Sequence, residues 1–108
     1  MSTSRRRTEG QIEEVKRELL ALGPMRPGSI SRQYRLPKAK KRPFYQISYT
    51  HRMQSHSEYV RPENLTALRR ETANFKRFKK LIDRWISLAL AASQMRVRQA
   101  AKIPRYAP

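Results

Sequence analysis

The feature that most restricts the fold of this chain is a change of hydrophobic period near residue 62. Upstream, Tyr45, Ile47 and Tyr49 alternate with Gln46 and Ser48, the period of a half-buried strand rich in aromatic and β-branched residues. Residues 55–60 alternate more weakly, and His51-Arg52-Met53-Gln54 lies between without the favoured Asn-Gly or Asp-Gly turn pair. This predicts a β-hairpin over 44–60. Downstream, Leu68, Phe75, Phe78, Leu81, Ile82, Trp85, Ile86 and Ala89 recur at helical spacing. At about 100° per residue they share an arc of about 140°, a core-facing stripe. A helix over 62–93 is predicted, with Pro62 in its first turn or Asn64 as its N-cap.

A second helix is expected over 9–22. Thr8 and Gln11 have capping-box spacing, Ile12, Val15, Leu19 and Leu22 form a narrow stripe, and Gly23-Pro24 stops the run. Residues 23–43 hold four prolines and the basic run Lys38-Ala39-Lys40-Lys41-Arg42, which reads as a loop anchored by Ile30 and Tyr34. The expectation is one small α+β domain over 8–93, with an N-terminal helix, a β-hairpin and a long amphipathic helix. A basic arm (1–7) and a basic tail (94–108) flank it. An apolar fraction of 38% leaves the core thin.

Charge decides which functions fit. The chain has 108 residues with 25 Lys plus Arg against 8 Asp plus Glu, a net charge of +17. Four of the acids, Glu9, Glu13, Glu14 and Glu18, lie in the first helix, so residues 19–108 alone carry +16. Such an excess repels itself unless a polyanion supplies the missing charge. Nucleic acid is the expected partner. No apolar run approaches the ~20 residues of a membrane span, and no secretory signal opens the chain, so a cytoplasmic, nucleoid- or ribonucleoprotein-associated protein is expected.

The strongest candidate interface is the helix face bearing Arg69, Arg70, Lys76, Arg77, Lys79, Lys80 and Arg84, interrupted mainly by Glu71 and Asp83. Cations three, four and seven residues apart project together and can neutralise phosphates, releasing counterions. Lys38, Lys40, Lys41 and Arg42 read as a backbone clamp, and Arg5-Arg6-Arg7 with Arg96, Arg98, Lys102 and Arg105 as flexible arms. On the hairpin, Gln46, Ser48, Arg52, Gln54 and Ser57 are candidates for base edges. Tyr45 and Tyr49, with Trp85, Phe75 and Phe78, are read as core. Phe44 and Tyr59 are left to stack on bases.

Enzymatic patterns are missing. There is no G-x-x-x-x-G-K-[ST] and no G-x-S-x-G, and the acids after residue 18 are too scattered to hold a catalytic metal. His51 and His56 lack the further ligands of a zinc site, and with no cysteine there is neither a disulfide nor a thiolate ligand. The chain reads as a non-enzyme without cofactor or metal.

Four segments carry a resemblance. Met25-Arg26-Pro27-Gly28-Ser29-Ile30-Ser31-Arg32-Gln33-Tyr34, Pro43 to Thr50, Glu58 to Leu65, and Ala73-Asn74-Phe75-Lys76-Arg77-Phe78 occur in an order that resembles a small prokaryotic domain family labelled transposase-associated. The resemblance covers residues 10–93 and implies a mobile-element or nucleic-acid context. Its members commonly carry a cysteine cluster before the Pro-Phe-Tyr strand. Here residues 36–42 are Leu-Pro-Lys-Ala-Lys-Lys-Arg, so no zinc is implied. DNA is therefore the preferred partner, with RNA close behind as in a ribonucleoprotein subunit. The other expectation is an accessory protein docked on a larger recombinase or nuclease. A cationic membrane-active role is weaker, because the basic helix is paired with a hairpin core.

Overall fold

A computed structural model describes residues 3–102. The order is α1 (Thr3–Ala21), β1 (Ser29–Leu36), β2 (Lys41–His51), β3 (Gln54–Val60), a 3₁₀ turn (Pro62–Asn64) and α2 (Leu65–Lys102). The architecture is α+β, as the two hydrophobic periods imply. The chain divides into two compact units. One comprises α1 with the residues of α2 from Phe78 onward, and the other comprises Leu22–Arg77.

In the helical unit α1 runs antiparallel to the second part of α2. Arg5 donates to Gln99, Glu9 approaches Arg96 at 3.9 Å, and Lys16 lies 5.4 Å over the Trp85 ring, so α1 climbs as α2 descends. The seam is narrow: Thr8, Val15, Leu81 and Ala92 are the buried residues. Ile12, Leu19, Trp85 and Leu88 are half-buried beside them. Helix α1 starts at Thr3 rather than Glu9, so Arg5, Arg6 and Arg7 are helical and not a loose arm. Thr8 is no N-cap. It lies inside the helix, buried, with its hydroxyl donating to the Ser4 carbonyl one turn earlier at 2.9 Å. The first turn has no acidic residue to favour a helix start, and contacts to α2 hold it instead.

The sheet unit corrects the loop expected over 23–43. Residues 29–36 form β1, antiparallel to β2, so the hairpin becomes a three-stranded sheet of order β1-β2-β3. Ile30 pairs with Ile47 and Tyr34 with Pro43. Pro43 lies past the end of β3, where β2 has one neighbour, a position proline tolerates. The core of this unit is Ile47, Val60 and Thr72.

Residues 22–28 cross this unit under tight control. The Asn74 amide donates to the Pro24 carbonyl at 2.9 Å, and the Arg26 N–H donates to the Glu71 carbonyl at 3.1 Å. Gly28 has φ +144°, and a Cβ there would lie 2.9 Å from Ile47 Cγ1. Glycine is required on both counts. Pro62 occupies the first turn after β3, with Asn64 N–H donating to the Arg61 carbonyl at 2.9 Å. Helix α2 continues to Lys102, so residues 94–102 are helical and not tail.

Candidate nucleic-acid interface

The basic run Lys38 to Arg42 forms the tip of the β1–β2 hairpin. Residues 37–40 make the turn, closed by Lys40 N–H donating to the Pro37 carbonyl at 3.2 Å, and Lys41 and Arg42 open β2. Lys40 and Arg42 have φ of +49° and +57°, the left-handed region. The ladder pairs Leu36 with Lys41 and Tyr34 with Pro43 but leaves out the position of Arg42. All four cations are exposed, and none has a carboxylate within ion-pair distance among the described residues.

On α2 the candidates Arg69, Arg70, Lys76 and Arg77 lie in the sheet unit, and Lys80 and Arg84 in the helical unit; all six are exposed. Arg69 is already seated, its guanidinium 5.4 Å over the Tyr45 ring. Arg52 and Gln54 lie at the opposite end of the sheet from Lys38. Arg52-Met53 is a two-residue turn between the paired His51 and Gln54, with φ of +50° and +66°. Positive φ at both central residues is the type I′ requirement that Asn-Gly usually meets, so this turn is strained. Met53 at its tip is 98% exposed.

Arginine seated on aromatic rings was not legible from spacing alone. Arg26 lies 5.2 Å over Tyr49, Arg32 5.4 Å over Tyr34 and Arg35 5.1 Å over Phe44. With Arg69 and Lys16 these make at least five cation–π contacts among the described residues, where about one or two would be usual for this length. A chain with three cations per acid has few carboxylates to offer, and ring faces take their place. The i,i+2 pair Arg32/Tyr34 was the one visible clue.

Arg26 also meets Glu58, Nη2 to Oε2 at 2.6 Å, and the Tyr49 hydroxyl donates to the other carboxylate oxygen at 3.0 Å. These hydrogen bonds, the Arg26 one first, hold the Glu58 carboxyl below its ordinary range, and Glu58 raises Arg26. His56 stacks on Tyr49 at 5.0 Å rather than joining His51. No three metal-ligating side chains come together among the described residues.

The expected arms separate. Arg5 pairs with Glu9 at 3.1 Å, while Arg6, Arg7, Arg96 and Arg98 are exposed on helices. Arg105 lies outside the described residues. No helix among those residues is long and apolar enough to cross a membrane. Comparison with protein-family models found no match, and neither did comparison with curated proteins or with solved structures.

Proposed function

We propose that this is a non-catalytic nucleic-acid-binding protein that holds phosphates on the β1–β2 tip and along α2. The observation that carries the reading is the tip: Lys38, Lys40, Lys41 and Arg42 stand exposed together without a carboxylate partner among the described residues. Around it, the sheet unit holds 13 Lys plus Arg against 3 acids. One of those acids, Glu58, is engaged by Arg26. Keeping so many like charges close is costly unless a polyanion binds them. DNA in a mobile-element setting is the first candidate, and RNA within a ribonucleoprotein the second.

The test is binding to duplex DNA, single-stranded DNA and structured RNA across a salt series. Log K should fall steeply and linearly with log salt. Weak binding to all three, or binding indifferent to salt, would overturn the reading. Charge reversal at Arg77, Lys80 and Arg84 should weaken binding and leave the fold intact.

A second reading, an accessory protein of a larger recombinase, nuclease or ribonucleoprotein, is favoured by one observation. Ile86 and Leu90 on α2 are 62% and 59% exposed, so the stripe is only partly used within its own unit. Under that reading, Ile86→Ser with Leu90→Ser would abolish co-assembly with the larger protein while leaving salt-dependent binding of the isolated chain unchanged.

A further inference from the structure

The ladder fixes the two faces of the sheet. Directly paired residues share a face, so the buried Ile47 and Val60 place Ile30, Tyr45 and Glu58 on the inner face. Gln33, Phe44, Gln46, Ser48, Ser57 and Tyr59 then lie on the outer one. No residue of that outer face is buried, and none is acidic. Its hydroxyls touch only loosely, Ser48 with Ser57 and Thr50 with Ser55 at 3.3 Å each.

Two aromatic side chains interrupt this polar surface. Tyr59 pairs with Gln46, two residues beyond Phe44, so the two residues are diagonal neighbours on adjacent strands, a pair whose Cα atoms lie about 7–8 Å apart. That is roughly twice the ~3.4 Å rise of a stacked strand, the spacing that two splayed bases need to lie one on each ring. Tyr59 is 56% exposed. It is also the one sheet aromatic with no guanidinium over it among the described residues. Arg35 lies on Phe44, and a guanidinium plane is itself a surface on which bases stack. Phe44 and Tyr59 sit toward the Lys38 end of the sheet, so a strand whose bases reach them passes its phosphates over the basic tip.

We infer that the outer face of the sheet binds single-stranded nucleic acid, with bases stacked on Phe44 and Tyr59 and their edges met by Gln33, Gln46 and Ser57. This rests on the nucleic-acid reading and specifies the state of the strand. A duplex hides its base faces and offers this surface only phosphates. Single strands offer the base faces that exposed rings stack upon, with little regard to sequence.

The experiment is fluorescence anisotropy with a labelled oligo-dT, an oligo-U of equal length and a duplex of that length. The probes are titrated with the full chain, Tyr59→Leu and Phe44→Leu, and thermal unfolding by circular dichroism confirms the fold. Leucine keeps apolar cover but cannot stack. Tyr59 is exposed, so its variant decides the matter even if Phe44→Leu unfolds. Single strands should bind at least about tenfold tighter than duplex, and Tyr59→Leu should cost about tenfold on single strands. Duplex affinity and the salt slope should stay within about twofold, because phosphate contacts are untouched. Unchanged single-strand affinity in Tyr59→Leu, with salt-dependent binding retained, overturns this inference and leaves the broader reading standing. Absence of salt-dependent binding to every probe removes both.

Discussion

The two units of this protein handle the same excess of positive charge in different ways. In the helical unit three of the five cations of α1 find carboxylates about one turn away, Arg5 with Glu9, Lys16 with Glu13 at 3.2 Å and Arg17 with Glu14 at 2.7 Å, and Glu9 also approaches Arg96. In the sheet unit Arg26 pairs with Glu58. Arg32, Arg35 and Arg69 rest on rings, and Lys38, Lys40, Lys41 and Arg42 stand in solvent. Neutralisation within a helix is easy to arrange and leaves little field around the paired residues. A sheet unit with 13 cations and 3 acids projects its charge outward, and that is where a polyanion gains most.

The sharpest way to break this comparison is to reverse charge in each unit. Replacing Lys38, Lys40, Lys41 and Arg42 by Glu should lower nucleic-acid affinity by roughly 100-fold or more and flatten the salt dependence. Replacing Lys16 and Arg17 by Glu should change it by less than about threefold, since those cations are already offset. Equal losses from the two variants would show that net charge, not its placement, controls binding.

Next in size is the dependence of the sheet unit on one backbone position. Gly28→Ala should cost about 2–4 kcal/mol in urea unfolding, from the positive φ and the collision with Ile47 together. Gly10→Ala in the helical unit, where nothing lies within 4 Å of the added Cβ, should stabilise by up to about 1 kcal/mol. The β2–β3 turn should yield a gain of similar size. Changing Arg52-Met53 to Asn-Gly relieves left-handed strain and should add about 1–2 kcal/mol. A loss of affinity in that more stable variant would mark the strained tip as part of the interface.

The smallest effect concerns acid. Glu58 has its folded-state pKa lowered, so its contribution is present above the unfolded carboxylate pKa and is lost as pH falls through the folded value. Glu58→Gln should therefore reduce stability near neutral pH, and the difference from wild type should shrink as the medium is acidified below the ordinary glutamate range. A difference that stays constant down to strong acid would show that the Arg26 contact contributes nothing through charge.

Much of the fold was legible because periodicity survives where packing is one-sided. The stripe of α2 and the alternation through Tyr45, Ile47 and Tyr49 each face one neighbour, and both were readable. Strand β1 was not, although Ile30, Tyr34 and Leu36 alternate, because Arg32 stands on their face and its position is explained only by the Tyr34 ring it covers. The early start of α1 was hidden for a related reason. Three consecutive arginines look like a solvated arm until Glu9 and Gln99 are seen to receive Arg5. As for the site, the basic residues announced themselves and the alternation already set Phe44 and Tyr59 apart from Tyr45 and Tyr49, whereas placing Tyr59 diagonally beside Phe44 on one face needed the register of β3.

The arginines resting on rings have a consequence for how the protein responds to its surroundings. A carboxylate that fixes a cation also cancels it, and the pair becomes sensitive to acid. A ring fixes the cation without cancelling it, and a guanidinium keeps its proton throughout the range in which proteins work. Arg32, Arg35 and Arg69 are thus held in place at full charge. Their pull on a polyanion is set in advance and weakened by salt.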